Sequence, residues 1–258
     1  MLISTALRLE RRAVVSFVGA GGKTTAMFRL AEELRMAGWR VVTTTTTHIG
    51  ENQVSLAPAW IQDAQLTSLS ARLDKGGHCL VTGAPDGHGR MRGITPEIVA
   101  EMHERLDVDV VLVEADGSRM RPFKAPAAYE PAVPPVTTRL VPTIGIDIIG
   151  QPLDEDHVHR PERIAAITGL KLGEPVTVEA AAQVVGSPEG GAKRRPPHAL
   201  LIALINQVES EPALRLARAV AGRLIQLPTI DAVLLASMQA DTPVLEVIIA
   251  AAGNTRDS

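Results

Sequence analysis

Val14-Val15-Ser16-Phe17-Val18-Gly19-Ala20-Gly21-Gly22-Lys23-Thr24-Thr25 is the stretch that decides the fold. An apolar, β-branched run stops at a glycine cluster, and a lysine and two threonines then open a segment with helical spacing. Met27, Leu30, Ala31 and Leu34 fall on one helical face, and Gly38 is a natural stop. Trp39-Arg40-Val41-Val42 begins a second strand that runs into Thr43 to Thr47 and His48. Strand, glycine loop, helix and strand make a βαβ unit, and such units close right-handed into parallel sheets.

The loop has the chemistry of a phosphate site. Backbone N–H groups curl around an anion, the helix directs its positive end at it, and the lysine adds a mobile charge. The spacing is short. In G-x-x-x-x-G-K-[ST] the first glycine would stand at Phe17, so the pattern present is G-x-x-G-K-T-T from Gly19 to Thr25. A dinucleotide fingerprint also fails, because its third glycine would stand at Thr24. Gly19, Ala20, Gly21, Gly22, Lys23, Thr24 and Thr25 are therefore the expected phosphate contacts, with the Thr24 hydroxyl placed for a phosphate-bound Mg²⁺.

Farther along, 57–74 reads as a modest helix, His78–Thr82 as a short strand, and Gly83–Arg90 as a hairpin or loop. Thr95-Pro96-Glu97 starts a helix that reaches about Leu106. Val108–Val113 is the clearest central strand and ends in Glu114-Ala115-Asp116-Gly117. Five prolines between Met120 and Pro135 interrupt regular structure. Strand-like runs follow at 139–149, interrupted at Pro142 and Gly145, and at 199–205, 230–236 and 244–249, with helices at 161–168, 177–185 and 212–224. Residues 186–197 read as an exposed, mobile loop. The expectation is an α/β fold, a P-loop NTPase-like, mostly parallel sheet flanked by helices. It would form a single domain over 1–258 with an irregular Pro/Gly-rich insertion at about 118–197.

Ligands in such sheets lie beyond the carboxyl ends of the strands. Glu114 and Asp116 stand at one of those ends, where a carboxylate can hold Mg²⁺ or orient water, and the Gly117 N–H could sense a terminal phosphate. The expected metal set is Thr24, Thr45, Glu114 and Asp116, and the expected catalytic set is Lys23, Glu114 and Asp116. Asn206-Gln207-Val208-Glu209 follows the late strand where G-protein-like folds read guanine with Asn-Lys-x-Asp. Gln207 and Glu209 depart from that pattern, which leaves Asn206 and Glu209 as base-binding candidates. Arg119 and Lys124 are candidate contacts to phosphate or an anionic substrate. His157 and His159 could bind a metal, though a solvated loop is the simpler reading, and Lys193-Arg194-Arg195 reads as a charged loop.

Composition sets the outer limits. The 258 residues carry a net charge of −3, which gives no electrostatic case for nucleic acid or a membrane surface. With three Phe, two Trp and one Tyr the core must be aliphatic. The single cysteine, Cys79, lies in an apolar run and suggests a reducing compartment. No apolar stretch approaches a signal peptide or a membrane span, so the expectation is a cytoplasmic protein.

Several segments together resemble the YqeC family. They are Phe17–Thr25, Val42–His48, Val113–Arg119 with Lys124-Ala125-Pro126 and Glu130-Pro131, and then Asp147, Gly150 and His157–Glu162. The resemblance covers about residues 13–210. That family is described as accessory proteins of selenium-dependent molybdenum hydroxylases, associated with selenium cofactor biosynthesis. The resemblance therefore implies a partner, a molybdenum hydroxylase or its maturation factors, more firmly than a reaction. Together the readings give a Mg²⁺-dependent nucleoside triphosphatase using ATP or GTP. An ATP-dependent ligase or kinase with the shortened loop of Mur-type ligases is one alternative. A nucleotide-gated carrier or docking module without turnover is the other.

Overall fold

The computed structural model describes residues 1–250. A short helix α1 (Ile3–Ala6) precedes β1 (Ala13–Gly19), α2 (Lys23–Met36) and β2 (Val41–Thr45). Next come β3 (Trp60–Gln62), α3 (Leu69–Gly76), β4 (His78–Thr82), α4 (Pro96–Glu104) and β5 (Val110–Glu114). After the irregular stretch come β6 (Arg139–Gly145), α5 (Pro161–Thr168), α6 (Val178–Gly186), β7 (Leu200–Asn206), α7 (Glu211–Leu224), β8 (Ala232–Ala236) and β9 (Val244–Ile249).

The nine strands form one sheet in the order β9-β8-β7-β6-β1-β5-β2-β4-β3. Every neighbouring pair is parallel except β8 and β9 at the edge. The fold is thus α/β with a mostly parallel central sheet between helices. From β1 the chain winds to one side through β2, β3 and β4 and returns to fill the β5 slot. It then crosses to β6 and winds outward the other way. The reversal falls at β1, so the crevice for a ligand opens at its carboxyl end, where the glycine loop lies. Glu114, Thr45, Gly145 and Asn206 end the parallel strands β5, β2, β6 and β7 around it.

Central parallel strands bury both faces, which explains their unbroken apolar runs. Phe17, Val15, Leu112 and Leu204 pack one face with Met27, Leu30 and Ala31 of α2. Val14, Val111, Leu140 and Leu201 pack the other with Val99 of α4, Ala181 of α6 and Val220 of α7. Cys79 is fully buried, and burial pushes its thiol up to about 12, so it behaves as a small hydrophobe. Among the described residues, no helix is long and apolar enough to cross a membrane.

Three readings are corrected. Most of 57–74 is not α-helix: 3₁₀ turns and the edge strand β3 take up that stretch, and only Leu69–Gly76 is helical. Ala57, Trp60, Ile61 and Ala64 do fall at helical spacing, but Trp60–Gln62 pair with Leu80–Thr82 as an edge strand, a tertiary contact that overrides the local pattern. Pro142 does not break its strand. It sits inside β6, paired in register with Val18 on one side. The 186–197 loop is tied down by its charges: Lys193 donates to the Ala127 carbonyl, Arg194 to that of Pro131, and Arg195 to Asp231.

The tightest constraint on the crevice is steric. Gly21 has φ of 76°, and a Cβ there would lie 2.1 Å from the Gly145 nitrogen, backbone against backbone. Gly38, at φ of 78°, has nothing within 4 Å of such a Cβ. Gly38→Ala should cost about 1 kcal/mol, the left-handed backbone penalty alone. Gly21→Ala should cost more than about 3 kcal/mol, because β6 must move. Urea unfolding of both variants measures the difference.

Candidate functional site

The turn from β1 into α2 has only glycine where the backbone is left-handed: Gly19, Gly21 and Gly22 have φ of 88°, 76° and 105°. Three of its N–H groups are already used. Gly19 N–H donates to Asp116 Oδ2 at 3.0 Å, Ala20 N–H to the Thr143 carbonyl at 2.9 Å, and Gly21 N–H to the Arg121 carbonyl at 3.3 Å. Gly22 is the N-cap of α2, and no side chain caps that helix. The free cradle is therefore the helix start at Gly22, Lys23, Thr24 and Thr25, where the first-turn N–H groups have no intrahelical acceptor. Gly19, Ala20 and Gly21 shape the loop instead of contributing donors.

Lys23 is 3% exposed. Its Nζ donates to the Gly19 carbonyl at 2.7 Å and lies 3.3 Å from Asp116 Oδ1 and 3.8 Å from Glu114 Oε1. The Thr24 hydroxyl donates to Glu114 Oε2 at 2.6 Å. Burial, above all, raises the Glu114 pKa, opposed by the Lys23 charge and the Thr24 hydrogen bond. Gly22 to Thr25, Glu114 and Gly117 all line a groove of about 750 Å³.

The two acids of β5 separate in role. Glu114 faces the groove. Asp116 is 1% exposed and lies behind the loop, bonded to Gly19 N–H and 3.0 Å from Lys124 Nζ. It leaves the expected metal set and becomes the brace of the loop. Thr45 leaves it too, because its buried hydroxyl donates to the Glu114 carbonyl at 2.9 Å. Lys124 is no anion contact: its fully buried Nζ is spent on the Gly117 carbonyl, Asp116 and Glu130. Asn206 does not face a base, since its amide donates to the Gly21 carbonyl and accepts from Met238 N–H.

A pocket of about 140 Å³ opens beside Thr25, lined by Gln207, Glu209 and Gln239 among others. Gln207, with φ of 67°, carries a buried Oε1 that accepts no hydrogen bond. On the other side of the loop the groove reaches Arg119, Arg121, His159 and Arg160. His157 takes no part and bonds Asp154 through Nδ1 at 2.7 Å. Among the described residues, no group of three or more His, Cys, Asp or Glu is placed to hold a metal by itself.

Four groups went unassigned in the sequence: Glu130, Arg160, Arg121 and Gln207. Glu130 accepts from Lys124 at 2.9 Å and from both terminal nitrogens of Arg160, at 2.6 and 3.2 Å. Lys23, Asp116, Lys124, Glu130 and Arg160 thereby form one alternating chain of charges from the loop to the start of α5. The signal for the last two lay in Glu130-Pro131 and His159-Arg160-Pro161, segments quoted for the resemblance without a physical role.

The model of the family described as YqeC protein matches residues 15–162. A relative from Escherichia coli (strain K12), described as uncharacterized protein YqeC, is 32% identical over 198 residues, which is 77% of this chain and 77% of the relative. Among solved structures, chloroplast FtsY from Physcomitrella patens aligns with 92% of this chain at 16% identity and a TM-score of 0.32. This chain spans 53% of that one, and so distant a likeness says nothing about function.

The charge chain can be tested by pH. Burial works to raise the Glu130 carboxyl, yet the Arg160 hydrogen bonds and the Lys124 charge hold it down to about 2, against an ordinary 4.5. A depressed carboxyl contributes stability that is whole above its unfolded pKa and lost as pH falls through the folded one. Glu130→Gln leaves two buried cations short of an anion and should cost about 3 kcal/mol at pH 7. That deficit should narrow between pH 4.5 and pH 2, as read from urea unfolding along the pH series.

Proposed function

The chain belongs to the YqeC family, and from that membership and its loop geometry we propose that it is a Mg²⁺-dependent nucleoside-triphosphate-binding protein that hydrolyses its nucleotide. The observation that carries this is the uncapped start of α2, with Lys23 and the Thr24–Glu114 pair at the wall of the same groove.

The nucleotide phosphates would take the N–H groups of Gly22 to Thr25. Lys23 would exchange the Gly19 carbonyl for phosphate oxygens, a stronger, charge-assisted partner. Gly117 lines the same groove, and its N–H would bond a terminal phosphate oxygen. Glu114 Oε1, the oxygen not bonded to Thr24, would orient the attacking water.

The donor set fits Mg²⁺. Thr24 Oγ1 and Glu114 Oε2 are hard oxygens side by side at the groove, and Mg²⁺ is bound by one or two such protein ligands together with phosphates and water. When bound, the ion would neutralise charge on the β- and γ-phosphate oxygens. A base would lie in the pocket beside Thr25, where the unpartnered Gln207 Oε1 and Glu209 can accept hydrogen bonds from ring amino groups. Both ATP and GTP offer such donors. The family resemblance adds the client, a selenium-dependent molybdenum hydroxylase or one of its maturation factors.

Calorimetry with ATP, GTP and CTP, with and without Mg²⁺, tests the reading. Lys23→Ala should lose about 2–3 kcal/mol of nucleotide affinity, roughly 30- to 150-fold. Glu114→Gln should remove most of the Mg²⁺ dependence and slow phosphate release. Equal nucleotide affinity in wild-type protein and Lys23→Ala, with the fold intact by circular dichroism, would refute the assignment.

A further inference from the structure

A nucleotide fills only one end of the groove. With its base in the pocket beside Thr25 and its phosphates at the start of α2, it ends near Lys23 and Glu114. The groove continues past that point. The groove, about 750 Å³ in all, runs on to Arg119, Arg121, His159 and Arg160. A second cavity of about 430 Å³ adjoins it there.

The residues that line both cavities are Arg119, Arg121, His159 and Arg160. The acids Glu155, Asp156 and Glu162 line only the outer cavity. Glu130, on the groove side, is already committed to Lys124 and Arg160. The neck between the cavities is therefore cationic. Arg119 is exposed and forms no ion pair among the described residues. Arg121 comes no nearer to a carboxylate than 4.0 Å, from Asp156, whose side chain is 92% exposed. Arg160 is matched by Glu130, which leaves the Arg119 and Arg121 guanidinium groups at the neck free to bind an oxyanion in two-point fashion.

The backbone holds them there under strain. Arg119, Met120 and Arg160 have φ of 50°, 61° and 67°, a region costly for residues with a Cβ. The Arg121 carbonyl takes the Gly21 N–H, so the arginine segment is fastened to the phosphate loop itself. The His159 ring registers the local field. Burial, then the charges of Arg160, Lys124 and Arg119, push its pKa down to about 4, with Glu130 opposing them.

We propose that this neck binds a second small molecule through an oxyanion group, held by Arg119 and Arg121 beside the terminal phosphate of the nucleotide. The placement rests on the nucleotide reading, while the oxyanion site itself does not. A co-ligand there would be adjacent to the γ-phosphate end and remote from the base.

The test fills the loop with a non-hydrolysable nucleoside triphosphate and Mg²⁺. Glycerol phosphate and malonate are then titrated separately, with the His159 imidazole signals followed by NMR. Either anion should give a saturable shift and raise the His159 pKa, since an anion stabilises the imidazolium. A phosphate ester binding alone, or the dicarboxylate alone, identifies the headgroup. The double variant Arg119→Ala, Arg121→Ala should weaken the anion at least tenfold and leave nucleotide affinity within twofold. Absence of a saturable shift in the wild type, or wild-type anion affinity in the double variant, would overturn the proposal. If nucleotide fails to bind the wild type, the nucleotide reading falls. The same titration on nucleotide-free wild type and double variant then decides the oxyanion site on its own.

Discussion

The structure around the groove depends on one buried carboxylate. Asp116 accepts the Gly19 N–H through one oxygen, which also lies 3.0 Å from Lys124, and it sets the other 3.3 Å from Lys23. These contacts join the start of the glycine loop, its lysine and the irregular segment that follows β5. The chain leaves the sheet at Ala115, whose N–H still bonds the Phe17 carbonyl, so Asp116 is delivered directly behind the loop. Without that anion, two buried ammonium groups would share a region of low dielectric, and the loop N–H would lose its acceptor.

Such an arrangement is costly to build and costlier to break. Each buried ion gives up hydration worth several kcal/mol, and the mutual attraction offsets this only where every remaining donor is satisfied. The alternation of Lys23, Asp116, Lys124, Glu130 and Arg160 meets that condition for nearly every donor. Lys124 has three donors and three acceptors, the Gly117 carbonyl among them. Geometry follows from this more than stability does. A chain of charges with fixed partners allows few alternative packings, so the proline-rich segment from Pro122 to Pro135 is held in place with only the short strand Phe123–Lys124, paired with Val158–His159, as regular structure. The same chain ends at Arg160, which is how the cationic neck and the phosphate loop come to share one support.

The fold was largely legible because its signals are local. An apolar run ending in a glycine cluster specifies strand and turn, and the 3.6-residue period of α2 needs no tertiary information. What failed was whatever depends on partners distant in the chain. The stretch 57–74 has apolar residues at helical spacing, and only its pairing with β4 in the fold makes 60–62 an edge strand. The charges of 193–195 look solvated until the carbonyls of Ala127 and Pro131 are brought to them. The site shows the same division. Gly22 to Thr25 and Glu114 stand out by type and spacing, and the fold brings them to one groove. Asp116 and Lys124 were assigned to ligands because a charged residue near a phosphate loop carries no mark in sequence of whether it faces the groove or its neighbour. Glu130 and Arg160 are 30 residues apart, and only the fold pairs them.

The bonding of the loop also bears on how it would receive an anion. Because Gly19, Ala20 and Gly21 already donate to protein acceptors, the turn is organised before any ligand arrives, and ligand binding need not order it. The group that must move is the Lys23 ammonium. It would give up the Gly19 carbonyl and its contacts with Asp116 Oδ1 at 3.3 Å and Glu114 Oε1 at 3.8 Å, while Asp116 keeps the Gly19 N–H and Lys124 on its other oxygen. Those contacts are set against charge-assisted bonds to phosphate oxygens, which carry more charge than the carbonyl they replace. A brace that holds two cations releases one of them more readily than a brace that holds one. The doubling of lysines around Asp116 therefore serves rigidity in the loop and mobility in its lysine together.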